Sequence, residues 1–202
     1  MNLYNKYILP TYLNWAMNTA RRAPNRAEVV GGAESTVLEV GFGSGLNIPF
    51  YKNITKLYAL DTSSELVHIA QEKFRSVPFP IEYVVASAEK IPLPDNSVDC
   101  VVSTWSLCSI PDPARALAEI KRVLKPGGQF RFIEHGKSPS HFIAKLQNVL
   151  TPVSKTLAGG CHLNRDIEKL IRDVGFEMQQ LEKIRSKGAP LGFTYKGIAI
   201  RN

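Results

Sequence analysis

The sequence contains no uninterrupted run of about 18 or more apolar residues, the length that a bilayer-crossing helix requires. We therefore expect no membrane-spanning helix. The first residues also lack a basic segment followed by an apolar core, so we expect no secretory leader. Neither an internal repeat nor a low-complexity segment occurs.

Cysteine is scarce, with only Cys100, Cys108 and Cys161 in the chain. Neither Cys-x-x-Cys nor His-x-x-x-His spacing occurs, so we expect no metal site. An odd cysteine count without a leader fits the reducing cytoplasm. The expected location is therefore cytoplasmic, and peripheral contact with a membrane stays open.

The chain is basic, with 25 Lys and Arg against 18 Asp and Glu and a net charge of +7. Such a balance favours an anionic surface, either membrane or nucleic acid, without choosing between them. The basic residues are spread along the chain and form no run interleaved with aromatic residues, which disfavours RNA binding. A chain of 202 residues fits one domain with a full core.

The most informative stretch is a short apolar strand, 36–40, that runs into three alternating glycines, Gly41, Gly43 and Gly45. Glycine has no Cβ, so such a turn can be tight and a ligand can lie against its backbone. Residues 46–51 are then expected to begin a helix whose free N–H groups face that ligand.

A second predicted strand, 56–61, ends in Asp61, about twenty residues after the turn. At this distance a carboxylate meets a ribose diol in nucleotide-binding βαβ units. The glycine spacing is Gly-x-Gly-x-Gly, which differs from the dinucleotide pattern Gly-x-Gly-x-x-Gly. No Gly-Lys-Ser/Thr follows, so a P-loop is excluded.

The pattern Glu-x-Gly-x-Gly-x-Gly with a later acid resembles the class I S-adenosylmethionine-dependent methyltransferases. The resemblance implies an α/β fold: a Rossmann-like, seven-stranded, mostly parallel sheet with an antiparallel edge hairpin and helices on both faces. S-adenosyl-L-methionine is the implied cofactor. Glu39 is expected to hold its methionine amine and Asp61 its ribose hydroxyls. The implied cofactor contacts are Glu39, Gly41, Gly43, Gly45, Asp61, Thr62, Ser87, Ala88 and Ser103.

The segment 89–99 resembles a signature of methyltransferases related to the ubiquinone and menaquinone C-methyltransferases. In that group the residues before the Ala-Glu pair touch the adenine, and here they are Ala86, Ser87 and Ala88. The turn Leu-Lys-Pro-Gly-Gly at 124–128 is another feature of the group.

The rest of the chain alternates strands and helices. Pro152 is expected to kink or break the helix that contains it, and Asn164 to cap a later one. The last two strands are expected to form an antiparallel hairpin at one edge of the sheet. Predicted strands are 81–86, 100–103, 129–134, 177–185 and 193–201, and predicted helices begin near 63, 113, 141 and 164.

The N-terminal part, 1–35, is expected to be a helix over 3–22 followed by a polar linker, ahead of a methyltransferase domain at 36–202. The helix has an apolar stripe that includes Tyr12. One interpretation is that it packs on the domain. Another, compatible with the first, is that it forms a lid that also touches a membrane, with Arg21, Arg22 and Arg26 on lipid phosphates.

Several residues are candidates for the chemistry. His135 ends a strand at the expected catalytic edge and is either a general base or a structural histidine. Trp105 and Tyr12 are candidates to face the sulfonium, whose charge aromatic rings favour. The loop with Cys161, His162 and Arg165 is expected to fold over the same edge and to contact substrate.

Three short segments resemble the membrane-associated, methyltransferase-like thiol S-methyltransferases of animals. They are 107–109, 134–135 and 160–165, and the resemblance covers roughly 36–200. It implies methyl transfer to a small lipophilic acceptor, a thiol first of all. A phosphatidylethanolamine N-methyltransferase, a quinone-precursor C-methyltransferase and a non-enzymatic cofactor- or RNA-binding protein stay as alternatives.

The tetrad 103–106 reads Ser-Thr-Trp-Ser, where DNA adenine methyltransferases carry Asn/Asp-Pro-Pro-aromatic. This difference argues against methylation of base amino groups. The expected partner is a small-molecule or lipid acceptor, and contact with an anionic membrane surface stays open. Neither nucleic acid nor an obligate protein partner is expected.

Overall fold

The computed structural model describes residues 22–185 and 191–202. Within them a seven-stranded sheet carries helices on both faces. The strands are β1 Glu34–Val40, β2 Asn53–Asp61, β3 Ile81–Val85, β4 Val98–Thr104, β5 Leu124–His135, β6 Phe176–Arg185 and β7 Phe193–Arg201. The α-helices are α1 Ala23–Gly31, α2 Ser64–Lys73, α3 Pro113–Val123, α4 His141–Leu157 and α5 Ile167–Asp173.

The strand order is β3-β2-β1-β4-β5-β7-β6. Neighbouring strands are parallel from β3 to β5, whereas β7 runs antiparallel to both β5 and β6. The expected seven-stranded sheet with its antiparallel edge hairpin is therefore confirmed. The chain leaves β1 towards β2 and later returns to β4 on the other side of β1, which creates a crevice at the carboxyl ends of these strands.

The central strands are buried on both faces because alternate side chains enter two separate cores. Leu38 and Val40 of β1 belong to one core, which also takes Leu117 from α3. Val37 belongs to the other core, together with Val30 of α1. The near-continuous apolar sequence of β1 follows from this two-sided burial.

Side chains that cap helices fix where two of them begin. The Ser63 hydroxyl accepts a hydrogen bond from the Leu66 amide at the start of α2, at 3.2 Å. Asp112 accepts from the Arg115 amide at the start of α3, and Pro113 occupies the first turn, where no N–H is needed. Both helices therefore begin where the sequence predicts, near 63 and 113.

The structure corrects two expectations before β2. Residues 24–35, expected as a linker, contain α1, which tolerates Pro24 because the first turn of a helix leaves its N–H groups unpaired. After the glycine turn only a 3-10 turn, Ile48–Phe50, forms instead of a longer helix. The chain becomes extended at Tyr51 because β2 begins two residues later.

Two later expectations are also wrong. Pro152 does not break α4, which runs on from His141 to Leu157 with the proline inside it, on an exposed part of the helix. The cap of α5 is Asp166, whose carboxylate accepts from the Lys169 amide at 3.1 Å. Asn164 instead donates its side-chain amide to Asn148.

The predicted N-terminal helix over 3–22 lies outside the described residues, apart from its last residue. In the described part of the chain, no helix combines the length and the apolarity that crossing a bilayer requires.

Candidate active site

A cavity of about 430 Å³ opens at the carboxyl ends of β1, β2 and β4, beside the crevice where the strand order reverses. Its size lies in the range of roughly 300–1,000 Å³ that small-molecule pockets have. The walls come from loops that follow the strands and from α1. They include Arg26, Glu39, Gly41–Ser44, Asp61, Thr62, Ser87, Ala88, Trp105, Ser106, Ser109 and Gly159.

The three glycines of the first turn have different surroundings. A Cβ on Gly41 would lie 2.0 Å from the Ser106 hydroxyl, so this glycine lets the β1 and β4 loops meet. A Cβ on Gly43 would meet nothing within 4 Å, which leaves its backbone open to the cavity. Gly45 packs against Phe74 and is absent from the cavity wall.

Asp61 joins the glycine turn to the end of β2. Its carboxylate accepts hydrogen bonds from the Gly43 amide at 2.8 Å and from the Ser63 amide at 2.8 Å. Burial raises its pKa, and the two amide donors oppose that change. The turn is thereby held in one conformation, and the carboxylate oxygens still have lone pairs for a ligand.

Glu39 is fully buried beneath the cavity and already has partners. It accepts from the Asn47 side-chain amide at 2.8 Å and from the Tyr51 hydroxyl at 2.6 Å. Burial raises the pKa of Glu39 to about 7, against the lowering effect of these bonds and of Arg26. The carboxyl therefore belongs to a polar network as well as to the cavity wall.

Arg26 of α1 completes that network, and the sequence reasoning placed it elsewhere, on lipid phosphates. Its guanidinium is buried and donates to Asn47 at 2.5 Å and to the Thr104 hydroxyl at 3.2 Å. Burial lowers its pKa to about 10, so it stays cationic at neutral pH. The guanidinium carbon lies 4.8 Å from the centroid of the Trp105 ring.

Trp105 has a left-handed backbone, with φ of 54°, which is uncommon for a bulky residue. Its amide donates to the Ile133 carbonyl at 2.8 Å, which holds this conformation at the end of β4. Its ring lines the cavity and stacks with Arg26. Strained residues of this kind cluster at functional sites.

Glu134, at the end of β5, fixes the loop that carries Trp105. Its buried carboxyl accepts from the Ser103 hydroxyl at 2.6 Å, the Ser106 amide at 3.1 Å and the Cys108 amide at 3.3 Å. Burial raises the pKa of Glu134 to about 7. Ser103, expected as a cofactor contact, is fully buried against Glu134 and does not line the cavity.

Thr62, Ser87 and Ala88 all lie in the cavity wall, as the resemblance implies. The Ser87 hydroxyl accepts from the Glu89 amide at 3.2 Å, so it shapes the turn after β3. Their contact with a cofactor stays a prediction.

The loop 159–165 crosses over the loop that follows β4. The Cys161 sulfur lies 3.8 Å from Nδ1 of His135, and the His162 amide donates to the Cys108 carbonyl at 2.9 Å. Arg165 donates to the Leu107 carbonyl. His135, Cys161, His162 and Arg165 therefore lie together behind Ser109 and Gly159, which form the cavity wall.

Tyr12, expected at the substrate site, lies outside the described residues. Across 22–185 and 191–202 the structure contains no group of three or more His, Cys, Asp or Glu side chains arranged to hold a metal ion.

Sequence reasoning missed Ser106 and gave Glu134 no role of its own. No sequence pattern could identify Ser106, because its importance comes from its contact with Gly41, which lies in the loop after a different strand. The position of Glu134 at the carboxyl end of a buried strand was the available signal, since ligand sites form at that edge.

The segment 38–132 matches the family model described as a methyltransferase domain. The chain is 38% identical to thiol S-methyltransferase TMT1B of Rattus norvegicus, over 74% of this chain and 63% of that protein. Human TMT1B is 33% identical, over 82% of this chain and 70% of its own length. The chain thus spans slightly less than two thirds of the rat protein.

A phosphatidylethanolamine N-methyltransferase of Cereibacter sphaeroides is 28% identical, over 83% of this chain and 86% of that protein. Among solved structures, a SAM-dependent methyltransferase from Aquifex aeolicus superposes with a TM-score of 0.68. The match is 22% identical and covers 96% of this chain and 98% of that one. At this identity the structural likeness supports the fold alone.

Proposed function

Because the chain belongs to the class I S-adenosylmethionine-dependent methyltransferase family, we propose that it transfers a methyl group from that cofactor to a small lipophilic acceptor. The observation that carries the proposal is the pairing of Asp61 with the open backbone of Gly43 at the cavity. A ribose diol can donate to the carboxylate while the rest of the cofactor lies along the glycine turn.

The residues present fit this cofactor. The cavity of about 430 Å³ is of the size of a small-molecule site, and a buried cation, Arg26, lines it. We assign Arg26 to the methionine carboxylate, since guanidinium groups bind carboxylates well. Glu39 faces the same end of the cavity and is assigned, with its Asn47 partner, to the methionine amine.

The cofactor supplies a methyl group on a sulfonium, which an acceptor displaces in line. The protein's part is to hold the acceptor at near-attack distance and to exclude water. The loop held by Glu134 brings Trp105 and Ser109 to the cavity, where they limit access of water. Less acid–base chemistry is needed when the acceptor is a thiol, since even the unassisted thiol of cysteine has a pKa of only about 8.5.

We favour a thiol as acceptor because of the likeness to thiol S-methyltransferases over 74% of this chain. Phosphatidylethanolamine is the second candidate, since the likeness to the Cereibacter enzyme covers 86% of that protein. The amine of that lipid is protonated at neutral pH and has to lose a proton before it attacks. Both acceptors are compatible with methyl transfer at a membrane surface, and we also propose that the reaction takes place there.

The test is to measure release of S-adenosylhomocysteine by the purified chain with two acceptors in parallel. One is a small lipophilic thiol without lipid, and the other is phosphatidylethanolamine in vesicles. Turnover with the thiol alone supports S-methylation, and turnover only with vesicles supports lipid N-methylation. Cofactor binding without turnover on either would reject both acceptors, and a protein that fails to bind the cofactor would overturn the proposal entirely.

A further inference from the structure

The helix α4 exposes a continuous apolar stripe. Among the described residues, six large hydrophobic side chains are exposed, and four of them lie on this one helix. They recur at three- and four-residue spacing, so they share one face. Their exposed fractions are Phe142 77%, Leu146 41%, Val149 71% and Val153 53%.

The opposite face of α4 packs on the domain through polar groups. The Gln147 side chain is fully buried, accepts from the Ser138 amide at 2.7 Å and donates to the Gly136 and Leu191 carbonyls at 3.1 and 2.9 Å. Thr151 is also buried and donates to the Gln147 carbonyl. Rotating the helix to bury its apolar stripe would break the three bonds that Gln147 makes outside the helix, so these bonds keep the stripe facing outward.

The charged side chains in the sequence span that contains α4 have one sign. From His135 to Arg165 the sequence contains no acidic residue, although the chain has 18 elsewhere. The same span contains Lys137, Lys145, Lys155 and Arg165. Lys145 and Lys155 are exposed on α4 itself, beside the apolar stripe.

We propose that this face of α4, with Lys145 and Lys155 beside it, docks the protein on an anionic lipid surface. An interfacial helix inserts its apolar side among the lipids and places cations on their headgroups. At about 1.5 Å per residue, the 17 residues of α4 lie roughly 25 Å along the surface.

The charge disfavours two other occupants of the stripe. A second copy of this chain would bring the same cations face to face. The undescribed segment 1–21 contains Lys6 and Arg21 and no acidic residue, so it is like-charged as well. An anionic lipid surface complements the charge and the apolar stripe together.

The docking face is joined directly to the cavity. The amide of Gly160 donates to the Lys155 carbonyl at 2.9 Å, and Gly159 lines the cavity. The end of α4 therefore continues into the cavity wall. If the proposed function is right, a lipophilic acceptor dissolved in the lipid enters beside this end. Docking itself does not depend on methyl transfer.

The experiment measures partition of the full chain onto vesicles, by co-sedimentation. Vesicles of phosphatidylcholine with phosphatidylglycerol are compared with vesicles of phosphatidylcholine alone. The test variants are Phe142→Ser and Val149→Ser, and the matched control is Val85→Ser, because Val85 is 56% exposed on β3. All three positions are exposed, so little loss of stability is expected.

We expect binding to the anionic vesicles that weakens about tenfold or more in the Phe142→Ser/Val149→Ser double variant and stays unchanged in Val85→Ser. Replacing Lys145 and Lys155 together by Gln should weaken binding and its dependence on salt. The matched pair of exposed cations, Lys52 and Lys90, should tolerate the same change.

Four results would overturn the proposal. They are wild-type binding to neither vesicle, equal binding to both, an unchanged double variant, and equal losses in the double variant and Val85→Ser. Sedimentation velocity provides the check on a second copy: a dimer that Val149→Ser dissociates, without vesicle binding, assigns the face to self-association. Turnover of a water-soluble thiol without vesicles separates a failure of docking from a failure of the proposed function.

Discussion

Cys161 and His135 meet behind the cavity wall, with the sulfur 3.8 Å from the ring nitrogen Nδ1. A hydrogen bond from the Cys108 thiol and the contact with His135 lower the pKa of Cys161, although burial opposes this. Cys108 keeps its own proton to higher pH, because the bond to Cys161 and burial raise the pKa of its thiol. One thiolate is therefore stabilised at Cys161.

We predict that Cys161 is alkylated at lower pH than an ordinary cysteine, because the thiolate is the reactive form. Replacing His135 by Ala should move the midpoint of the labelling profile to higher pH and leave cofactor affinity unchanged. Labelling by iodoacetamide, followed by mass spectrometry between pH 5 and 9, measures this. Cys100 is the internal control, since burial raises its pKa to about 12.

An unchanged labelling profile in His135→Ala would show that the ring does not stabilise the thiolate. A large loss of cofactor affinity in that variant would instead place His135 in the cofactor site. His135 is absent from the cavity wall, so the structure favours a positioning role over direct proton transfer.

Asp61→Asn should weaken binding of S-adenosylhomocysteine by roughly 10- to 100-fold, the loss expected when a charged hydrogen-bond acceptor is removed. The amide keeps one acceptor oxygen and so cannot accept from both Gly43 and Ser63 while binding a ribose. Isothermal titration calorimetry, performed below the unfolding temperature of the variant, measures the loss.

Asp99→Asn is the matched control for Asp61→Asn. Asp99 also accepts from a backbone amide, that of Thr36 at 3.1 Å, but at the amino end of β4, on the edge opposite the cavity. Its replacement should leave cofactor affinity unchanged. Equal affinities of the Asp61 variant and the wild type would remove Asp61 from the site.

The fold was predictable because its signals are local. Apolar runs such as 36–40 and 100–103 identify strands buried on both faces, and Asp112 with Pro113 identifies a helix start. The sequence predicted the last two strands as an edge hairpin, and the antiparallel pairing of β6 and β7 confirms it. The helix α1 was missed because its only signal, Pro24 at the first turn, also occurs in linkers.

The site was only partly predictable. The position of Asp61 after β2 follows from spacing, whereas the network of Arg26, Asn47 and Glu39 joins residues that are distant in sequence. The spacing of apolar and polar residues along the chain does not predict contacts between residues so far apart in sequence. The crossing of 159–165 over the β4 loop depends in the same way on backbone bonds, such as that from His162 to Cys108, that the sequence does not encode locally.

Gly41→Ala and Gly43→Ala should damage different properties of the protein: the first mainly its stability, the second mainly its affinity for the cofactor. Both glycines have positive φ, 71° and 58°, so alanine costs about 1–2 kcal/mol at either position. Only at Gly41 does the new methyl group also meet Ser106, which adds about 1–3 kcal/mol of overpacking. Denaturant unfolding should show the larger loss for Gly41→Ala, and cofactor titration the larger loss for Gly43→Ala, whose methyl group projects towards the cavity.

The double variant Gly41→Ala/Ser106→Gly tests the cause of that difference. Removing the Ser106 side chain should return part of the lost stability, which a general effect of positive φ would not do. Equal stabilities of the two single variants would contradict the close approach of these loops.

The last prediction concerns Glu134, whose folded-state pKa of about 7 lies above the ordinary 4.5. Between these values the folded state binds more protons than the unfolded state, so the stability contributed by this carboxyl falls as pH rises. The loss amounts to about 3 kcal/mol between pH 4.5 and 7.5. Glu134→Gln does not titrate, so the wild type should lose about that much relative to it.

Urea unfolding of both proteins at several pH values measures this difference, and Glu82→Gln controls for removal of an exposed carboxylate. A difference between Glu134→Gln and the wild type that is independent of pH would mean that folding does not raise the pKa of Glu134 above its ordinary value. Because Glu134 holds the amides of Ser106 and Cys108, its ionisation also strengthens the bonds that position the Trp105 loop. Rising pH is therefore expected to have two effects: it lowers the stability of the fold, and it strengthens the hydrogen bonds to Glu134 that hold this cavity wall.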